Sequence, residues 1–253
     1  MSTSIPASKP KVVILSLASD FGCQVQMTNF PDLLKLLGTI DVSYWQLATT
    51  ADLPDDYAIA VIEGAVTTDE HRQLLQSVRA TADVVMAVGA CATTGGIPAL
   101  HSDGPCSVSA VIDVDFTIPG CPLDPREFSQ VLQRALLGLV DRRPREPLCA
   151  ACKINEVDCY FNHGQLCLGL VTRTGCGALC VSKGRPCTGC RGIAEDANLS
   201  SARAFVRDAG MDVLTFDTAL ELYNSLDIHS GKHGGHTMPA LQSSKLVTET
   251  KLA

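Results

Sequence analysis

The stretch VVILSLASDFGC (12–23) decides how this chain is read. Its first half is a short apolar run rich in β-branched residues, which predicts a strand buried on both faces. Its second half leaves that strand through Asp20, Gly22 and Cys23. The same rhythm continues outward. QMTNFPDLLKLLG (26–38) predicts a helix, DVSYWQL (41–47) alternates like a strand, and YAIAVIEG (57–64) is a second buried strand. TTDEHRQLLQSVRATA (67–82) opens on a threonine cap with an acidic first turn, so it predicts a helix. DVVMAVG (83–89) is a further strand, and DPREFSQVLQRALLGLV (124–140) begins with an Asp–Pro pair suited to N-cap and first helical position. Strands alternating with helices predict an α/β fold with a mostly parallel sheet.

In such sheets the functional loops lie beyond the carboxyl ends of the strands. Asp20 and Cys23 follow the first strand, Glu63 ends the YAIAVIE strand, Cys91 follows DVVMAVG in GACATTGG, and Cys121 lies in TIPGCPLDP before the last helix. Thiolates on glycine-containing loops suit an iron–sulfur cluster, whose sulfides crowd the backbone. A cubane needs a fourth ligand, and Asp20 is the candidate, a harder donor than a thiolate. Taken singly, each cysteine reads as a small buried hydrophobe and Asp20 as a turn or cap residue. Cys106, in HSDGPCSVS, has no such placement and reads as a structural thiol.

The chain has 253 residues, a net charge of −7 and a pI near 5.3. That charge argues against nucleic-acid binding. No apolar stretch approaches a membrane span, and the start, MSTSIPASKPK, lacks a signal-peptide core, so a cytoplasmic location is expected. In a reducing compartment dense cysteine reads as metal or redox chemistry. Of the twelve cysteines, eight fall within 149–190, behind a charged, proline-rich linker, DRRPREP (141–147). They are Cys149, Cys152, Cys159, Cys167, Cys176, Cys180, Cys187 and Cys190, enough for two four-thiolate sites. On spacing alone, zinc and iron–sulfur remain equally open. The contrast between the two halves predicts two domains, residues 1–143 and 144–228, followed by a mobile tail, 229–253, with His229, His233 and His236.

Four motifs now carry a resemblance: D-F-G-C (20–23), I-E-G-A (62–65), G-A-C-A-T-T-G-G (89–96) and P-G-C-P (119–122). Their order and spacing resemble the small subunit of NiFe hydrogenases, which has C-x-G-C in the first motif; the departure is Asp20. Aspartate ligation is known within the family. The resemblance implies a flavodoxin-like domain followed by a small loop-rich iron–sulfur domain. It implies three 4Fe–4S clusters: a proximal one on Asp20, Cys23, Cys91 and Cys121, and medial and distal ones on the eight C-terminal cysteines. PCTGC (186–190) resembles the family's medial motif. The family pattern suggests Cys149, Cys152, Cys167 and Cys176 for the distal cluster and Cys159, Cys180, Cys187 and Cys190 for the medial one.

The chain would then carry electrons between the NiFe centre of a large subunit and a flavoprotein, NAD(P)-type diaphorase or other redox subunit. Hydrogen chemistry would belong to the large subunit. Glu63 reads as a strand-end carboxylate or as a proton-handling group just outside the ligands, near the subunit interface. Two rivals stand: the related cluster subunit of respiratory complex I, which normally shows adjacent cysteines near the first strand, and a non-redox scaffold of zinc knuckles.

Overall fold

The strands β1 (Lys11–Ser16), β2 (Asp41–Trp45), β3 (Ile59–Glu63), β4 (Val84–Val88) and β5 (Phe116–Ile118) form one sheet in the order β2-β1-β3-β4-β5. All four pairings are parallel. This computed structural model describes residues 9–30, 33–100, 104–142 and 144–229. The strand order is that of flavodoxin-like folds, with the switch point between β1 and β3. β3 and β4 are buried at every position, as their unbroken apolar runs require.

Strand side chains alternate between faces, and the sheet has a core on each. Val12, Ile14, Val61, Met86 and Ile118 pack on one side with Met27, Phe128 and Leu132. Val13, Leu15, Ala60, Ile62 and Val85 pack on the other with Leu75 and Val78. Each fully buried Val, Leu or Ile contributes about 1.5–3 kcal/mol. The register sets Ser16 beside Glu63, Glu63 beside Val88 and Val88 beside Ile118. That row is the carboxyl edge of the sheet.

The expected helix over 26–38 is instead two: α1 (Gly22–Thr28) and α2 (Leu33–Leu37). α1 stops at Asn29, two residues before Pro31, because proline disfavours helical backbone in the residue it follows and offers no N–H. α3 (Asp69–Thr81) starts where its sequence predicts, with the Thr68 hydroxyl accepting the His71 N–H at 3.2 Å. The expected loop after β4 is a short helix, α4 (Gly89–Thr94). α5 (Pro125–Leu136) is capped by Asp124, whose Oδ1 accepts from the Arg126 and Glu127 amides at 2.8 and 3.1 Å.

The cysteine-rich segment contributes only short helices, α6 (Cys149–Ile154) and α7 (Leu179–Ser182). Two longer ones close the chain, α8 (Leu199–Asp208) and α9 (Val213–His229), and α9 has non-helical backbone at Asn224. Leu168, Val171, Ile193, Val206, Phe216 and Leu220 form their core. α9 also docks onto the first half of the chain. Thr94 Oγ1 donates to Tyr223 O at 2.7 Å, and Ser225 Oγ donates to Ala99 O at 3.2 Å. Of the expected tail, His229 ends α9, while 230–253, with His233 and His236, lies outside the described residues. Among the described residues no helix is long and apolar enough to cross a membrane.

Candidate metal centres

The chain leaves β1 and enters α1 through Phe21, whose φ of 60° turns it sharply. Asp20 is exposed there, and its Oδ1 accepts the Gly22 N–H at 2.9 Å. The turn brings the Cys23 N–H to Glu63 Oε1, at 2.9 Å, across the β1/β3 crevice. Glu63 is 2% exposed, and its Oε2 has no hydrogen-bond partner, nor has Gln24 Nε2. Burial raises the Glu63 carboxyl above its usual range, against the lowering pull of the Cys23 amide.

Glycines make room for the thiols. At Gly89, with φ 83°, a Cβ would fall 2.5 Å from Cys23 Sγ. At Gly96, with φ 52°, a Cβ would fall 3.1 Å from Cys91 Sγ and 2.9 Å from its amide nitrogen. Positive φ and a sulfur at that distance both demand glycine.

Asp20, Cys23, Cys91 and Cys121 come together at this edge. Burial raises the Cys23 thiol, and the charges of Glu63, Cys121 and Cys91 raise it further. Cys91 is pushed up to about 11 by burial, then by Cys121, Asp20 and Glu63. Cys121 rises through burial and Asp20, while the Tyr223 hydroxyl draws it down. Three thiols and two carboxylates that repel one another in a half-buried space form a donor set that a cationic centre stabilises.

The charged neighbours of the eight C-terminal thiols cut across their expected partition. Burial pushes Cys149 up to about 11, and its charged neighbours are Cys167, Cys152 and Cys159. Cys152 rises through burial and then the same Cys167 and Cys159. Burial, then Cys176 and last Cys167, raise Cys180. Cys190 reaches about 11 through burial, its neighbours being Cys176 and Cys180. Cys187 is pushed to about 12 by burial, with Cys167 and Cys190 adding. These neighbourhoods favour Cys149, Cys152, Cys159 and Cys167 as one set and Cys176, Cys180, Cys187 and Cys190 as the other. Cys167 and Cys187 join the two sets, the Cys187 N–H donating to Cys167 Sγ at 3.2 Å.

Among the described residues, no three Cys, His, Asp or Glu side chains converge closely enough to hold a single metal ion. The ligands of an iron–sulfur cluster stand further apart, since each binds a different iron. Thiol donors, the glycine cradles at Cys23 and Cys91 and the amides aimed at Cys167 and Cys187 sulfur fit such a group. Cys106 stays apart from them. It forms a backbone bridge with Val66, both bonds at 2.9 Å, and packs on the sheet core, as a structural thiol does.

Two residues at the sites escaped sequence reasoning. Tyr223 reaches Cys121 from α9, a helix whose relation to the sheet no local pattern announces. Arg191 follows Cys190, and that adjacency was the available signal.

Residues 21–135 match the family described as NADH ubiquinone oxidoreductase, 20 Kd subunit. That span holds Cys23, Glu63, Cys91 and Cys121 and ends before the eight C-terminal cysteines. Sulfhydrogenase 2 subunit delta of Pyrococcus furiosus is 31% identical over 210 residues, covering 75% of this chain and 89% of that protein. A subunit of the vhu F420-non-reducing hydrogenase of Methanocaldococcus jannaschii is 25% identical over 260 residues, covering 80% and 90%. Among solved structures, an H2-activated [NiFeSe]-hydrogenase from Dm. baculatum aligns with a TM-score of 0.61 at 18% identity, over 75% of this chain and 96% of that one. An actinobacterial-type NiFe-hydrogenase from Ralstonia eutropha H16 aligns with a TM-score of 0.57 at 16% identity, over 80% and 91%. At those identities the likeness is one of fold.

Proposed function

This chain belongs to the family of NiFe-hydrogenase small subunits that includes those relatives, and from that premise we propose that it is the iron–sulfur electron-transfer subunit of such an enzyme. It carries electrons between the NiFe centre of a large subunit and a flavoprotein or other acceptor subunit. The observation that carries this reading is the meeting of Asp20, Cys23, Cys91 and Cys121 at the β1/β3 edge of the sheet. These four would hold a proximal 4Fe–4S cluster. Cys176, Cys180, Cys187 and Cys190 would hold a medial one, and Cys149, Cys152, Cys159 and Cys167 a distal one. Bound there, the clusters supply one-electron chemistry at potentials set by burial and hydrogen bonding.

The residues act as a relay scaffold. Burial raises the Cys190 thiol while the Cys121 backbone lowers it, so a proximal and a medial ligand lie near one another. Glu63 holds the Cys23 amide and stands beside the thiols. Val25, Leu47 and Ile97, on segments flanking this edge, are large apolar side chains left exposed, which suits burial against a large subunit. Twelve free thiols accord with a cytoplasmic setting.

Co-purification from the native source tests the assignment. The expected result is a complex with a nickel-containing companion. A chain that purifies alone, with its iron and without nickel, contradicts it.

A further inference from the structure

Arg191 is 2% exposed, and every nitrogen of its guanidinium is engaged. Nε donates to Thr174 O at 3.2 Å, Nη1 to Pro119 O at 2.7 Å, and Nη1 and Nη2 to the two Glu127 oxygens at 2.7 Å each. Thr174 stands two residues before Cys176, Pro119 stands two residues before Cys121, and Cys190 is the preceding residue. One buried cation is therefore pinned among ligands of two sites. At Gly175, a Cβ would fall 2.3 Å from Nη2 and 2.9 Å from Glu127 Oε1, so the chain gives up a side chain to admit the pair.

Stability alone is a weak reason for such a pair. Desolvating two charges costs several kcal/mol per ion, and apolar packing of the same volume often holds a fold as well. The position suggests another use. A cation in a low-dielectric interior stabilises added negative charge nearby, and one-electron reduction adds one negative charge to the group the thiols hold.

We propose that Arg191 sets the reduction potential of the site formed by Cys176, Cys180, Cys187 and Cys190. Its guanidinium raises that potential, and the Glu127 carboxylate, held by the same fork, limits the rise. The inference rests on the reading of those four cysteines as cluster ligands. It adds no chemical step: the site takes up one electron with or without Arg191, and the residue biases the equilibrium. Arg191 acts through placement and charge and is a positioning residue.

The test is a mediated redox titration followed by electron paramagnetic resonance, on the co-purified complex. Arg191→Gln and Glu127→Gln are compared with the wild type. Glu127→Gln keeps size and an acceptor oxygen but leaves the guanidinium uncompensated, so the potential rises. Arg191→Gln lowers it. Each shift should change the reduced-to-oxidised ratio at fixed potential tenfold or more, which for one electron is about 59 mV. A purely structural clamp does not produce opposite signs. Shifts of the same sign, or none, overturn the inference. If Arg191→Gln loses its iron, Glu127→Gln decides alone, and an unmoved or lowered potential there overturns it. Wild-type complex without iron–sulfur signals overturns the functional reading itself, whereas wild-type signals with unresponsive variants overturn only the role of Arg191.

Discussion

Asp20 is the residue on which the proximal site turns. Its Oδ1 is engaged by the Gly22 amide, and its charge acts on Cys91 and Cys121. Turn residue and ligand are therefore compatible roles, since a carboxylate has two oxygens. Replacing Asp20 with Cys should keep the iron content and shift the proximal potential. Asp20→Ala should lose the proximal signal; an unchanged spectrum and potential in that variant would refute ligation by Asp20. Glu63 is the second test. Glu63→Gln retains the acceptor for the Cys23 amide but removes an ionisable group beside the thiols, so turnover should fall about tenfold or more with iron retained. Equal turnover would leave Glu63 a strand-end carboxylate only. Asp20 was legible because D-F-G-C places it three residues before Cys23. The Arg191–Glu127 pair was not, because 64 residues separate its partners and the adjacency to Cys190 marks only one of them.

The elements that sequence pattern recovers are those with strong local signals. Thr68 and Asp124 announce α3 and α5, and the apolar runs announce β1, β3 and β4. β5 is three residues long, too short to display a period, and its place in the sheet depends on pairing with β4. α4 was hidden by its glycines, which suggested a loop; Gly89 is needed to pass Cys23 Sγ, and the helix starts there. α5 matters to the site because it presents Glu127 one turn beyond its cap. Asp124→Ala should destabilise the protein by about 1 kcal/mol, read from chemical denaturation. No change would show that packing of Phe128 and Leu132 fixes the helix start without the cap.

Across the whole molecule, stability is unevenly shared. The sheet buries an extensive core on each face, whereas the cysteine-rich segment has a small buried cluster of Leu148, Cys167, Ala178, Val181 and Cys187, and its Leu168 and Val171 pack against α8 and α9 instead. Ligand bonds must supply there what apolar packing does not. Removing iron with a chelator under reducing conditions should therefore open 144–190 to limited proteolysis while 11–136 stays protected. Equal resistance before and after removal would show that the segment folds without metal. Whether the twelve donors hold iron–sulfur clusters is decided by metal and acid-labile sulfide analysis of the anaerobically purified complex. Three 4Fe–4S clusters predict about twelve iron and about twelve sulfide per copy of this chain. About two zinc per copy, with neither iron nor labile sulfide, would contradict it and leave a zinc-knuckle scaffold.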